Sequence, residues 1–242
     1  MKKIIVPITL IAFSLTVLPS CTGLQEVAKQ IEQVSGGTLG QNQIASGLKE
    51  ALQQGVDKQV VKLTKTDGFL GNSLVKIGMP AELQKVEKGL RAAGLGSLAD
   101  EGIKALNRAA ETAVKEATPI FVDAITSMTI ADATNILMGN KNAATQYLQK
   151  TTTKSLYGKF NPVIKSSFSK VGADQIWSNL ITKYNTLPLV QKVNPDLTDY
   201  VTDKALEGVF TMIEKEELNI RENASARSTN LLKSVFAMQD KK

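Results

Sequence analysis

Two groups of polar side chains have the types and spacings that acid–base or anion-binding chemistry requires. In the first, Asn107 and Arg108 precede Glu111 by four and three residues, so a helix would carry all three on one side. Asp123 and Asp132 lie close by in sequence, in apolar surroundings. In the second, Glu217, Arg221 and Arg227 gather near the C-terminus, with Asp203 and Glu207 expected a helix earlier. A carboxylate so placed could serve as acid or base. An arginine fork could grip an anionic ligand. The competing reading makes these residues ion pairs that join helix ends, and it is the one favoured here. Spaced Glu and Arg are common on helices, and a buried pair often does no more than avoid an unpaired charge.

The chain has no histidine and one cysteine in 242 residues. Without histidine, His-based triads and His-containing metal sites are excluded. The cysteine ends the stretch Val17-Leu18-Pro19-Ser20-Cys21, which follows Lys2, Lys3 and an apolar run over residues 4–18. Charged start, apolar run and small residues before a cut site form the order of a secretory signal peptide. The run is shorter than the roughly 20 residues a spanning helix needs. A leucine three residues before a cysteine, with a small residue just before it, resembles the bacterial lipobox. That resemblance implies cleavage before Cys21 and acylation of its thiol, with palmitate-like chains as the membrane anchor. Two or three acyl chains hold a protein stably where one is marginal. The acylated thiol is then lost to any nucleophilic role, and a lone exported cysteine has no disulfide partner. Thr22 in place of an inner-membrane retention aspartate favours the outer membrane, facing the periplasm.

The formal net charge is +6. Removing Lys2 and Lys3 with the leader takes 29 basic side chains to 27 against 23 acidic ones, a mature charge of +4. No block of five lysines or arginines occurs, so nucleic acid is not an expected partner. Weaker motifs also fall away. Gly36-Gly37 and Gly94-Leu95-Gly96 lack the Gly-Lys-Ser/Thr of a phosphate loop. Asp67-Gly68 lacks the other oxygens of a calcium loop. Asn223-Ala224-Ser225 matches a glycosylation triplet by chance in a bacterial chain. Trp177, Ile181 and Tyr184 at helical spacing read as core. No metal and no cofactor are expected.

The elements that must position these residues are helices. Aromatic residues make up 5% of the chain, a composition that suits packed helices better than a sandwich or barrel. Ile44, Leu48, Leu52, Val56, Val60 and Leu63 recur every three or four residues. Leu83, Val86 and Leu90 mark a helix opened by Pro80 and closed at Gly94. Ser97 with Asp100, and Thr129 with Asp132, read as capping boxes. Pro119 should divide the helix that runs through Leu106 and Val114. Thr151-Thr152-Thr153 weakens a helix through Tyr147 and Phe160, and Asn161-Pro162 reads as the start of another. Residues 185–196, with Pro188 and Pro195, read as a long connection before helices over 197–218 and 228–238. No run of alternating apolar residues bounded by hairpin turns stands out. The expectation is a signal peptide over 1–20, a lipidated tether over 21–42 and one all-α domain of about eight to ten helices over 43–240.

From about Ile44 to Met238 the chain resembles the bacterial family known as domain of unknown function 4197. The residues that carry this are Gly47-Leu48-Lys49-Glu50-Ala51-Leu52, Asp67-Gly68-Phe69, Lys76-Ile77-Gly78-Met79-Pro80, Leu106–Glu111, Ala143–Tyr147 and Tyr200–Phe210. Glu216-Glu217, Arg221 and Arg227 complete them. Gly78 stands where the family pattern usually has proline. Tyr200 joins Asn107, Arg108, Glu111, Asp132, Glu217, Arg221 and Arg227 as a candidate for ligand binding or a structural polar cluster. The family's name assigns no activity. The sequence therefore points to a non-enzymatic envelope lipoprotein that binds a protein, the membrane face or a small apolar ligand. The alternative is a hydrolase-like enzyme using Glu111, Asp132 or Glu217 with an arginine in an interhelical pocket.

Overall fold

The computed structural model describes residues 39–170 and 196–240, with positions 177, 178, 181, 182, 185, 186, 192 and 194 between them. The expected leader, Cys21 and most of the expected tether lie outside the described residues, as do Ile176, Leu180, Tyr184, Pro188 and Pro195. The protein is all-α, and no strand occurs among the described residues.

Helix α1 spans Gln41–Leu63 and buries the expected apolar stripe from Ile44 to Leu63. It ends in a sharp turn where Asp67 takes a φ of 64°. Gly68 is obligatory in this turn, because a Cβ there would lie 2.4 Å from the Leu63 carbonyl oxygen. An irregular strap then runs to Pro80, followed by a 3-10 turn at Ala81–Leu83 and the short helix α2, Gln84–Ala92. Pro80 therefore opens a 3-10 turn, not α2 itself. Gly94 closes α2 with a φ of 76°.

Helix α3 is Gly96–Ala113. The expected box of Ser97 and Asp100 does not form. The helix begins one residue before Ser97, which places the hydroxyl inside the first turn, and Asp100 accepts from Arg91 Nη2 at 2.6 Å instead. Pro119 has the dividing effect expected of it. A 3-10 turn at Val114–Glu116 separates α3 from α4, Ala117–Thr126, so the proline falls in the first turn of a new helix. Helix α5, Ile130–Met138, starts with the predicted capping box: Asp132 N–H donates to Thr129 Oγ1 and Thr129 N–H to Asp132 Oδ2, each at 3.1 Å.

The larger correction is α6, one continuous helix over Ala143–Lys170 that passes through both suspected breaks. Thr151, Thr152 and Thr153 each donate a hydroxyl to the carbonyl four residues back, at 2.6–2.8 Å, so their polar groups bond within the helix instead of competing with it. Pro162 sits inside the helix with Gly158 four residues before it. Both are exposed, so the carbonyl that loses its donor can bond water. Leu148, Thr152, Leu156, Phe160, Ile164 and Phe168 hold the helix down by one buried row.

Helix α7, Thr198–Glu222, packs along α6 and α1, and α8, Asn230–Phe236, closes over α1. Phe121 of α4 meets Phe210 of α7 edge to face at 6.0 Å. Trp177 and Ile181 are buried, as a core role requires. No single described helix is long and apolar enough to cross a membrane.

Candidate functional site

The strap after α1 is where the first polar cluster acts. Asn107 on α3 is fully buried. Its carboxamide accepts from Ile77 N–H at 2.9 Å and donates to Ile77 C=O at 2.8 Å, with a further bond to Ile103 C=O at 2.7 Å. One turn on, Glu111 accepts from Phe69 N–H at 3.1 Å and Leu70 N–H at 3.5 Å. Arg108 joins Glu111 at 2.5 Å to Asp67 at 2.7 Å, closing the turn. The Glu111 carboxylate raises the pKa of the Arg108 guanidinium further. The spacing of Asn107, Arg108 and Glu111 does put them on one side of a helix, and what they grip is the protein's own backbone.

The second cluster caps helices. Glu217 accepts from Ala144 N–H at 2.9 Å and from the N–H and hydroxyl of Thr145, both at 2.8 Å. Those amides belong to the first turn of α6, whose N–H groups have no partner within the helix. Arg221 pairs with Glu217 at 2.8 Å and donates to Leu137 C=O at 3.1 Å and Ile136 C=O at 2.9 Å, the last turn of α5. Arg227 donates to Ile220 C=O and Arg221 C=O near the end of α7, at 3.1 and 2.9 Å. It also pairs with Asp240 and lies 5.7 Å from the centroid of the Phe236 ring.

Other candidates are scattered. Asp132 is spent in the α5 capping box, where the Thr129 hydroxyl and amide hold its carboxyl below the usual range. Asp123 and Asp203 are exposed, so the apolar setting expected for Asp123 is absent. Asp203 and Glu207 lie on α7 itself, not a helix earlier, and Glu207 pairs with Lys204 rather than joining Glu217. Cys21 lies outside the described residues. Among the described residues no three acidic side chains converge as metal ligands would.

Several participants were not among the candidate site residues. Lys49 donates to Thr126 C=O at 2.8 Å, capping α4. Glu216, from α7, accepts from Lys58 at 2.6 Å and Gln59 at 2.8 Å on α1, while Gln59 Oε1 is buried without a partner among the described residues. Only contacts 77 to 158 residues apart reveal these roles, and no local pattern marks them.

An open groove of about 220 Å³ lies between the strap and one face of α7. Leu74, Lys76 and Gly78 form one wall, and Tyr200, Lys204 and Glu207 the other, continued by Gly208 and Thr211. The α7 positions recur at steps of four and three, which puts them on one side. Tyr200 OH donates to Gly78 C=O at 3.0 Å across the floor, and burial of its ring raises the phenol pKa. Lys204 bonds Glu207 at 2.5 Å, which raises the lysine pKa. A second, apolar crevice between α1, α7 and α8 has only about 20 Å³, room for roughly one water.

The family whose description is "Protein of unknown function (DUF4197)" matches residues 38–237. The chain belongs to this family. The match runs from just before α1 to the end of α8, so strap, groove and both polar clusters all fall within the DUF4197 region. No curated protein and no solved structure matches the chain.

Proposed function

We propose that the protein is a non-enzymatic binding domain of the bacterial cell envelope, held on the outer membrane facing the periplasm by acyl chains on Cys21. The anchor rests on Val17-Leu18-Pro19-Ser20-Cys21 behind a charged start and an apolar run. The binding role rests on one structural observation. Arg108, Glu111, Glu217, Arg221 and Arg227 spend their hydrogen bonds on one another and on the protein's own backbone and side chains, whereas polar groups line an open groove beside α7. Glu111 and Glu217 each accept two backbone amides and an arginine, which leaves little for proton transfer to a substrate. The enzyme alternative draws no support from either. A crevice with room for one water is too small for an alkyl chain, so a protein segment suits the groove better than an apolar ligand suits the core.

The test has two arms. Labelled palmitate should enter the wild-type chain and not Cys21→Ala; equal labelling of both removes the anchor. A photo-crosslinking residue at position 211 should give one discrete adduct in cells, lost with Lys204→Glu. Adducts that persist in that variant, or none at all, remove the groove as the binding face.

A further inference from the structure

The strap has a feature that the helices hide. Over Val75–Met79 burial alternates: Val75, Ile77 and Met79 point into the core, and Lys76 and Gly78 face outward. That is the period of an extended strand. In such a segment the N–H and C=O of one residue point to one flank and those of its neighbours to the other. The Ile77 pair is taken by the Asn107 carboxamide, which supplies the donor and acceptor that a neighbouring strand would. The opposite flank faces the groove. Lys76 N–H turns back to Asn72 C=O at 2.8 Å and Gly78 C=O takes the Tyr200 hydroxyl, while Gly78 N–H and Lys76 C=O have no hydrogen-bond partner among the described residues.

Those two groups are the donor and acceptor that one residue of an added strand would bridge. A Cβ built on Gly78 meets nothing within 4 Å, so the outward face of the strap is unobstructed there, and the groove runs along its free flank. Beside it Leu74 is 55% exposed, an apolar surface for one side chain of a ligand. Lys76 is exposed and forms no ion pair among the described residues, and Lys204 stands across the groove. Glu207 already neutralises Lys204 at 2.5 Å, so Lys76 is the cation that attracts a carboxylate here.

We propose that this groove binds an extended peptide segment of a partner protein by strand addition to Lys76–Gly78, with an acidic residue of the segment beside Lys76 and an apolar one on Leu74. Backbone pairing gives the affinity and the alternate side chains the selectivity in this mode of recognition. The inference rests on the binding-domain reading but is narrower than it. Tyr200 sets the limit of pairing, because its hydroxyl already occupies the next acceptor along the edge.

The test uses the full lipidated chain in detergent micelles, labelled with 15N at its 17 glycines. The probe is an acetylated tetrapeptide of alternating valine and aspartate. Gly78→Pro identifies the Gly78 signal by its disappearance; proline fits an extended strap and removes no existing hydrogen bond. Titration should shift the Gly78 amide saturably and slow its hydrogen exchange at least tenfold. The same peptide with its backbone nitrogens methylated should do neither, and Gly78→Pro and Lys76→Glu should each weaken binding at least fivefold. Equal binding of the methylated peptide overturns strand addition and leaves the groove as a binding face. Failure of the peptide to perturb Gly78 while the position-211 adduct still forms in cells also overturns strand addition alone. Loss of both effects overturns the binding reading as well.

Discussion

Glu217 and Arg221, one turn apart on α7, divide their opposite charges between two other helices. The carboxylate sits on the first amides of α6 and the guanidinium on the last carbonyls of α5. Each charge meets the end of the helix dipole that favours it, and the pair cancels what would otherwise be two buried ions. One side-chain pair thereby fixes the angle between α5 and α6 and docks both against α7.

The first prediction follows from that geometry. Glu217→Ala strips caps from two α6 amides and leaves Arg221 buried and unpaired, so it should cost about 3–5 kcal/mol in urea denaturation. Glu217→Gln keeps a carbonyl acceptor and should cost clearly less. Adding Arg221→Met to Glu217→Ala should recover part of the loss, because the stranded charge is gone. A double variant whose cost equals the sum of the two single ones would show that the residues act independently.

Gly102 gives a second prediction, because a Cβ on this α3 residue would lie 1.9 Å from Cζ2 of Trp177. Gly102→Ala must push the indole out of its seat or distort α3. Overpacking of this kind costs about 1–3 kcal/mol. The chain has a single tryptophan, so its fluorescence reports the site directly. Emission should shift to the red in Gly102→Ala, and unchanged emission with unchanged stability would mean that the indole does not pack there.

What could be read in the sequence was what neighbours in the chain decide. The α1 stripe and the Thr129–Asp132 box were legible because each is complete within a few turns. The reading of 151–162 as a break failed because local propensity was outweighed by a buried row that runs from Leu148 to Phe168. The sequence clusters were read as ion pairs joining helix ends, and the backbone groups they bond in the structure were hidden from that reading. Glu217 caps amides 72 and 73 residues away, and Asn107 pairs with a backbone 30 residues away. The strap's alternation covers only five residues and has no second strand, so it lacked the hairpin signature that would have marked it.

The acid limb of stability supplies a third prediction. The Thr129 hydroxyl and amide bond the Asp132 carboxylate and hold its pKa below the ordinary value of about 3.9. A carboxyl depressed in the folded state stabilises above its unfolded pKa, and that contribution is lost as pH falls through the folded value. The melting temperature of wild type should therefore exceed that of Asp132→Asn by a constant margin from pH 7 to about 5. The gap should close below about pH 4. A margin that persists to the acid limit would show that shape, not charge, makes the cap.

Asn107 allows the sharpest test of how the strap is held. Asn107→Leu keeps the volume but leaves Ile77 N–H and C=O buried without partners, at about 1–3 kcal/mol for each. The Ile77 amide should then exchange with solvent much faster than those of α3, since the clamp is lost and the helix is not. Asn107→Asp should be worse at neutral pH, because a carboxylate would face the carbonyls of Ile77 and Ile103 with no donor to offer. Protonation restores one O–H, so the folded state holds that proton more tightly than the unfolded chain. The Asp variant should then gain stability relative to wild type as pH falls from 7 to 5, the opposite sign to Asp132. If Asn107→Asp tracks wild type at every pH, the carboxamide is not the clamp.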